Sequence, residues 1–140
     1  MTDVEISGSA IPRLPRRTLA EFADRVLREL KHPASEVSIA FVDDAAMKTL
    51  NRKYRGKNKT TDVLTFPFAE PAVPNEPLGD IVISIEQAKR QAAEEQHSLA
   101  TEVRYLVLHG IIHALGYDHE TDDGEMNALE MKVRAKVGLE

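Results

Sequence analysis

Alternating apolar positions open the chain: Val4 and Ile6, then Val37, Ile39 and Phe41, each separated by polar residues, predict two half-buried strands. Ile81-Val82-Ile83, following Gly79-Asp80, is continuous rather than alternating, which predicts a third strand covered on both faces. Val63-Leu64-Thr65-Phe66 is a fourth candidate. Helical spacing appears at Leu19, Phe22, Ala23, Val26, Leu27 and Leu30, between Pro15 and Pro33. A short helix capped by Asp43 or Asp44 is expected through Met47 and Leu50, with a basic loop after it. Pro67, Pro71, Pro74 and Pro77 then deny the chain regular hydrogen bonding, predicting an irregular excursion inside one domain.

Three more helices are expected. The alanine- and glutamate-rich run from Ile85 to about Gln96 favours the first. Ser98 caps the second, which carries Leu99, Val103, Leu106, Val107 and Ile111 to Leu115, and Gly116 ends it because the position after a helix often needs positive φ. The last has a capping box, Asp122 with Glu125, inward residues Met126, Leu129, Val133 and Val137, and Gly138 as its stop. Together these predict an α+β chain with residues 1–140 in one domain and no internal repeat.

The composition narrows the chemistry. At 140 residues, 42% hydrophobic and 29% charged, the chain has enough apolar material for one core. It has no cysteine, which removes disulfides, thiolate metal sites and thiol nucleophiles, so a metal would be held by His, Asp or Glu. The opening Met-Thr-Asp-Val-Glu lacks a basic and then an apolar leader region, and no stretch nears the roughly 18 apolar residues of a membrane span. A cytosolic protein without a membrane partner is expected. A net charge of −5 argues against gripping a polyanion with the whole surface. Yet Arg52, Lys53, Arg55, Lys57 and Lys59 crowd into eight residues, so any such grip is local.

Three of the five histidines, His109, His113 and His119, fall within eleven residues. On a helix His109 and His113 lie about 40° apart around one face and one turn apart along it. A turn at Gly116 can bring His119 back to them, giving three imidazoles and an open fourth position, the pattern of a catalytic zinc site. Nickel, copper and iron share the same ligand preference. The spacing matches metzincin peptidases, whose first ligand is followed by a glutamate base. Here that position is Gly110, which cannot take a proton. His32 and His97 read as structural, and Asp118 is a candidate for orienting a ligand imidazole.

A phosphodiester needs less help from such a base and more from a cation that meets charge in the transition state. Arg55 is the best candidate, because its planar fork can engage two phosphate oxygens. Lys53, Lys57 and Lys59 can hold the flanking backbone, and Tyr54 offers a stacking face, the combination used to hold single-stranded nucleic acid.

At these residues the sequence resembles the YbeY family of bacterial endoribonucleases. His-Gly-x-x-His-x-x-Gly-Tyr-Asp-His at 109–119 is similar to that family's zinc motif, Asn51 to Phe66 to its second signature, and Leu78-Gly79-Asp80-Ile81 to its third. The resemblance runs from about Val37 to the C-terminus. Ile112 and Ala114 stand where leucine is frequent, and Thr61 and Thr65 lie where proline or serine is common nearby. The resemblance implies a small α+β fold with a mostly four-stranded mixed sheet, about five helices and a metzincin-like zinc helix. It also implies one zinc ion on His109, His113 and His119, and a functionally required Arg55. Its implied setting is the cytoplasm and ribosome biogenesis: cleavage of single-stranded RNA, maturation of the 3′ end of small-subunit ribosomal RNA, and quality control of ribosomes. A small-subunit ribosomal protein and an assembly GTPase are the implied protein partners. Two other readings fit the residues: an amide hydrolase with a base such as Asp118 or Glu120, and a non-catalytic assembly factor that zinc stabilises. The residues leave open whether water or a 2′-hydroxyl attacks.

Overall fold

All four expected strands and all five expected helices are present in a computed structural model that describes residues 2–8, 14–117 and 122–139. In chain order they are β1 (Asp3–Ser7), α1 (Arg16–Glu29), β2 (Glu36–Val42), α2 (Asp44–Arg55), β3 (Val63–Pro67), β4 (Pro77–Ser84), α3 (Ile85–Glu94), α4 (Leu99–Ala114) and α5 (Glu125–Val137). The sheet order is β1-β2-β4-β3. Helices cross between β1 and β2 and between β2 and the β3–β4 pair, so β1, β2 and β4 run parallel. The proline-rich excursion between β3 and β4 returns the chain antiparallel, leaving β3 at the edge.

Pairing sets the two faces. Val37, Ile39 and Phe41 of β2 join Ile81 and Ile83 of β4 beneath α1, α3, α4 and α5. The intervening Val82, with Leu64 of β3, packs on the other side against Met47 of α2. Ile81-Val82-Ile83 is therefore continuous because both faces are covered. No helix among the described residues is long and apolar enough to cross a membrane.

Three local differences from the sequence pattern have clear causes. Helix α2 does not end near Leu50 but runs to Arg55, so Arg52, Lys53, Tyr54 and Arg55 are helical and only the later part of the basic run is a loop. Cations in the last turn suit the negative helix end, and Gly56 closes it at φ 68° with its N–H on the Arg52 carbonyl. Helix α3 ends at Glu94, short of Gln96. At α5 the capping box is displaced: Gly124 is the cap, the Asp122 carboxylate accepts from Gly124 and Met126 N–H, and Glu125 reaches Asp123 N–H instead of Asp122.

Helix α4 holds the assembly together. It is apolar nearly all round, with Val103, Leu106, Val107, Leu108, Ile111 and Ile112 buried among α1, α3, α5, β3 and β4. Glu102, buried on the same helix, accepts hydrogen bonds from Gln91 Nε2 at 2.9 Å and shares one with His97 Nε2 at 2.6 Å, which explains the structural place of His97. Gly110 faces the sheet so closely that a Cβ there would lie 2.7 Å from Cγ2 of Ile81, itself fully buried.

That contact makes Gly110→Ala destabilising despite alanine's better helix propensity. Overpacking a filled core costs about 1–3 kcal/mol, against about 1 kcal/mol regained in the helix. Thermal unfolding of the variant is expected at a lower temperature than the parent, and an unchanged or higher midpoint would show that the approach is not tight.

Candidate active site

The site lies between the C-terminal part of α4, which packs on the edge strand β3, and the end of α2. Helix α4 presents His109 and His113 one turn apart, with ring centroids 4.7 Å apart and planes at 68°. The helix ends at Ala114, and Gly116 turns the chain at φ 102°, as its place in the sequence predicts. Tyr117 follows, its N–H on the Ile112 carbonyl at 3.4 Å. His119, with Asp118 and Glu120, lies outside the described residues. Among the described residues no group of three His, Asp or Glu side chains is placed to hold a metal.

The cationic side comes from α2 and the loop after it. Asn51, only 2% exposed, donates from Nδ2 to the Lys59 carbonyl at 3.0 Å, while its own carbonyl accepts from Lys57 N–H at 3.3 Å. One buried amide residue thus pins the loop at two points. Asp44 pins its far end, accepting from Thr60 Oγ1 at 3.2 Å, Ser84 Oγ at 2.8 Å and Arg90 at 2.7 Å. Partial desolvation pushes the Asp44 carboxyl up, but these three donors outweigh it and hold it below the usual carboxylate range.

Between the two sides lies a cavity of about 710 Å³. Its walls include Arg55, Lys57 and Lys59 from the basic run, His109 and His113 from α4, and Tyr117 after the turn. Asp62, Thr65, Pro67 and Glu70 contribute from β3 and its flanks. Thr65 Oγ1 donates to the Gly110 carbonyl at 3.3 Å, tying the strand to the histidine helix. Five residues singled out by the sequence, Arg55, Lys57, Lys59, His109 and His113, are therefore brought to one concave surface. Lys53 and Tyr54 are not among its walls: Tyr54 meets Phe66 edge-on at 5.1 Å, with Lys53 Nζ 5.3 Å from its ring centre.

Sequence reasoning missed Glu130. Its carboxylate lies 3.1 Å from His109 Nδ1, and since an ionised carboxylate only accepts, Nδ1 carries the proton and a neutral ring keeps its lone pair on Nε2. The signal was present: Glu130 falls at helical spacing between the buried Met126 and Val133, a charged residue on an inward face. Burial opposes the charged form of His109, but the hydrogen bond and charge of Glu130, with the charge of Asp62, outweigh it and raise the ring above its ordinary value. Chemically the cavity can hold an anionic substrate against three cations while offering oriented imidazoles.

Comparison with known proteins agrees with this architecture. A family model described as Endoribonuclease YbeY matches residues 3–138. The chain is 50% identical to the endoribonuclease YbeY of Nautilia profundicola over 74% of this chain and 73% of that relative. It is 41% identical to that of Caldanaerobacter subterraneus over 99% and 93%. The solution structure of TM1509 from Thermotoga maritima superposes with a TM-score of 0.67 at 30% identity, covering 96% of this chain and 88% of that one.

The Glu130–His109 pair gives a signed pH dependence in the metal-free chain. A raised folded-state value means the pair stabilises fully below the ordinary imidazole value, about 6.5, and that its contribution fades as pH rises through the folded value. In Glu130→Gln the His109 ring, followed by proton NMR, is expected to titrate lower than in the parent, and the added stability at low pH to shrink. A His109 titration unmoved by the substitution would contradict the pairing.

Proposed function

The chain belongs to the YbeY endoribonuclease family, and from that premise we propose that it cleaves single-stranded RNA, with zinc held by His109, His113 and His119 and with Arg55 meeting the reacting phosphate. The observation that carries the reading is the single cavity walled by Arg55, Lys57 and Lys59 together with His109 and His113. A polyanion drawn there by the cations has its phosphate beside imidazoles, although the chain as a whole is acidic.

The donor set suits the metal. Imidazole nitrogens without thiolates favour zinc among borderline ions, and Glu130 at Nδ1 of His109 leaves Nε2 as the coordinating atom. When bound, zinc supplies Lewis acidity and lowers the pKa of a water toward about 7. The chain's own groups do the rest. Arg55 places a rigid fork of donors where charge grows on the phosphoryl oxygens, while Lys57 and Lys59 hold neighbouring phosphates in register. Gly110 has no side chain, so the base that follows the first ligand in a metallopeptidase is lacking, and the tight packing on Ile81 leaves no room to add it. A phosphodiester is the better substrate for this cavity. The reading extends, on family membership, to small-subunit ribosomal RNA and its 3′ end. Ribosome quality control in the cytoplasm belongs to the same reading, with a small-subunit ribosomal protein and an assembly GTPase as partners.

Two substitutions separate the roles. Arg55→Ala is expected to keep zinc content and melting temperature while RNA cleavage falls about 10²- to 10³-fold, the usual loss for one transition-state donor. Undiminished cleavage would remove Arg55 from the reaction. His113→Ala should lower zinc stoichiometry by elemental analysis and melting temperature together, because bound metal stabilises the folded state. Full zinc content in that variant would contradict the ligand set. Product ends identify the nucleophile: a cyclic phosphate reports 2′-hydroxyl attack, a 5′-phosphate reports water.

A further inference from the structure

The cavity supplies cations for phosphate, but RNA also presents bases, and the walls contain one ring suited to them. Tyr54 is turned edge-on to Phe66 and lies off the cavity wall. Tyr117 is on it, 39% exposed, directly after the turn that ends the histidine helix. Tyrosine is often half-buried with its hydroxyl satisfied. Here, among the described residues, neither a ring contact nor a hydrogen bond engages the side chain, although the backbone is anchored by Ile112. The ring therefore faces the cavity from a position that leaves part of it exposed. An exposed aromatic on an anchored backbone, in the wall of a cavity that cations share, has the physical form of a stacking platform.

We infer that Tyr117 stacks on a nucleobase of the bound RNA, next to the phosphate held by Arg55, and so positions the strand in the cavity. The inference rests on the RNA reading above and adds a subsite to it. Every base has a π-face, so stacking there is tolerant of sequence, and it selects unpaired RNA because a base in a duplex is already stacked and enclosed. The ring binds substrate and transition state alike, so its loss acts on KM and leaves kcat largely untouched.

The chain contains no tryptophan, so Tyr117→Trp introduces a sole indole reporter at the subsite. The zinc-loaded variant is mixed rapidly with single-stranded hexauridylate and its emission read before cleavage. Binding is followed in parallel by the anisotropy of fluorescein-labelled hexauridylate. Saturable quenching by hexauridylate, and none by the same backbone lacking its bases, is the expected result. In steady-state cleavage, Tyr117→Ala is expected to raise KM about tenfold with kcat within about twofold, and Tyr117→Phe to restore it. Emission that stays constant while anisotropy rises would overturn the subsite and leave the RNA reading standing. Absence of any anisotropy rise with the parent chain would overturn the RNA reading, and the subsite with it.

Discussion

The close approach of α4 to the sheet is the constraint on which the histidine side of the site depends. A Cβ opposite Ile81 would force that side chain to shift, and Gly110, one position after His109, avoids it. Because the helix lies that near, its carbonyl at Gly110 can accept from Thr65 on the edge strand. The same contact sets the distance between the histidine face and β3, whose other residues form the opposite lip of the cavity. The glycine that deprives the chain of a peptidase-like base is thus the residue that brings the two histidines to the strand. Packing and chemistry make the same demand at this position.

The cationic side depends on a different device, the satisfaction of backbone groups in a loop. A basic loop in water would sample many conformations, and holding its cations over one cavity requires anchors. Asn51 and Asp44 meet that need from α2, one by its buried amide and backbone carbonyl, the other by its carboxylate on Thr60, Ser84 and Arg90. Helix α2 also contributes Arg55 from its last turn, so the residue proposed to meet phosphate stands on a rigid element and the lysines on a pinned one.

Much of the fold is legible in the sequence. Period-two or helical spacing located most elements, because they bury one face; the alanine- and glutamate-rich composition located α3, and the continuous Ile81-Val82-Ile83 announced a strand covered on both faces. Helix ends were less legible: α2 overran Leu50 because cations and a left-handed Gly56 extend it, and the α5 cap moved to Gly124. Within the site, spacing brought out His109 and His113, and charge density brought out Arg55, Lys57 and Lys59. What the sequence could not give was direction across space. Glu130 reaches His109 from another helix, and Tyr117 lines the cavity whereas Tyr54 packs on Phe66 away from it, a property of tertiary packing rather than of local pattern.

The central claim is that Arg55 and the histidines act on one phosphate, and a double-mutant cycle on RNA cleavage tests it most directly. Arg55→Ala, His113→Ala and the pair are compared by kcat/KM with the parent on one single-stranded RNA. Groups that act as a unit lose together, so the double variant should be little slower than the slower single one. If instead the two losses multiply in full, the guanidinium and the imidazole serve separate events, and the cavity is not the place where cleavage is assembled.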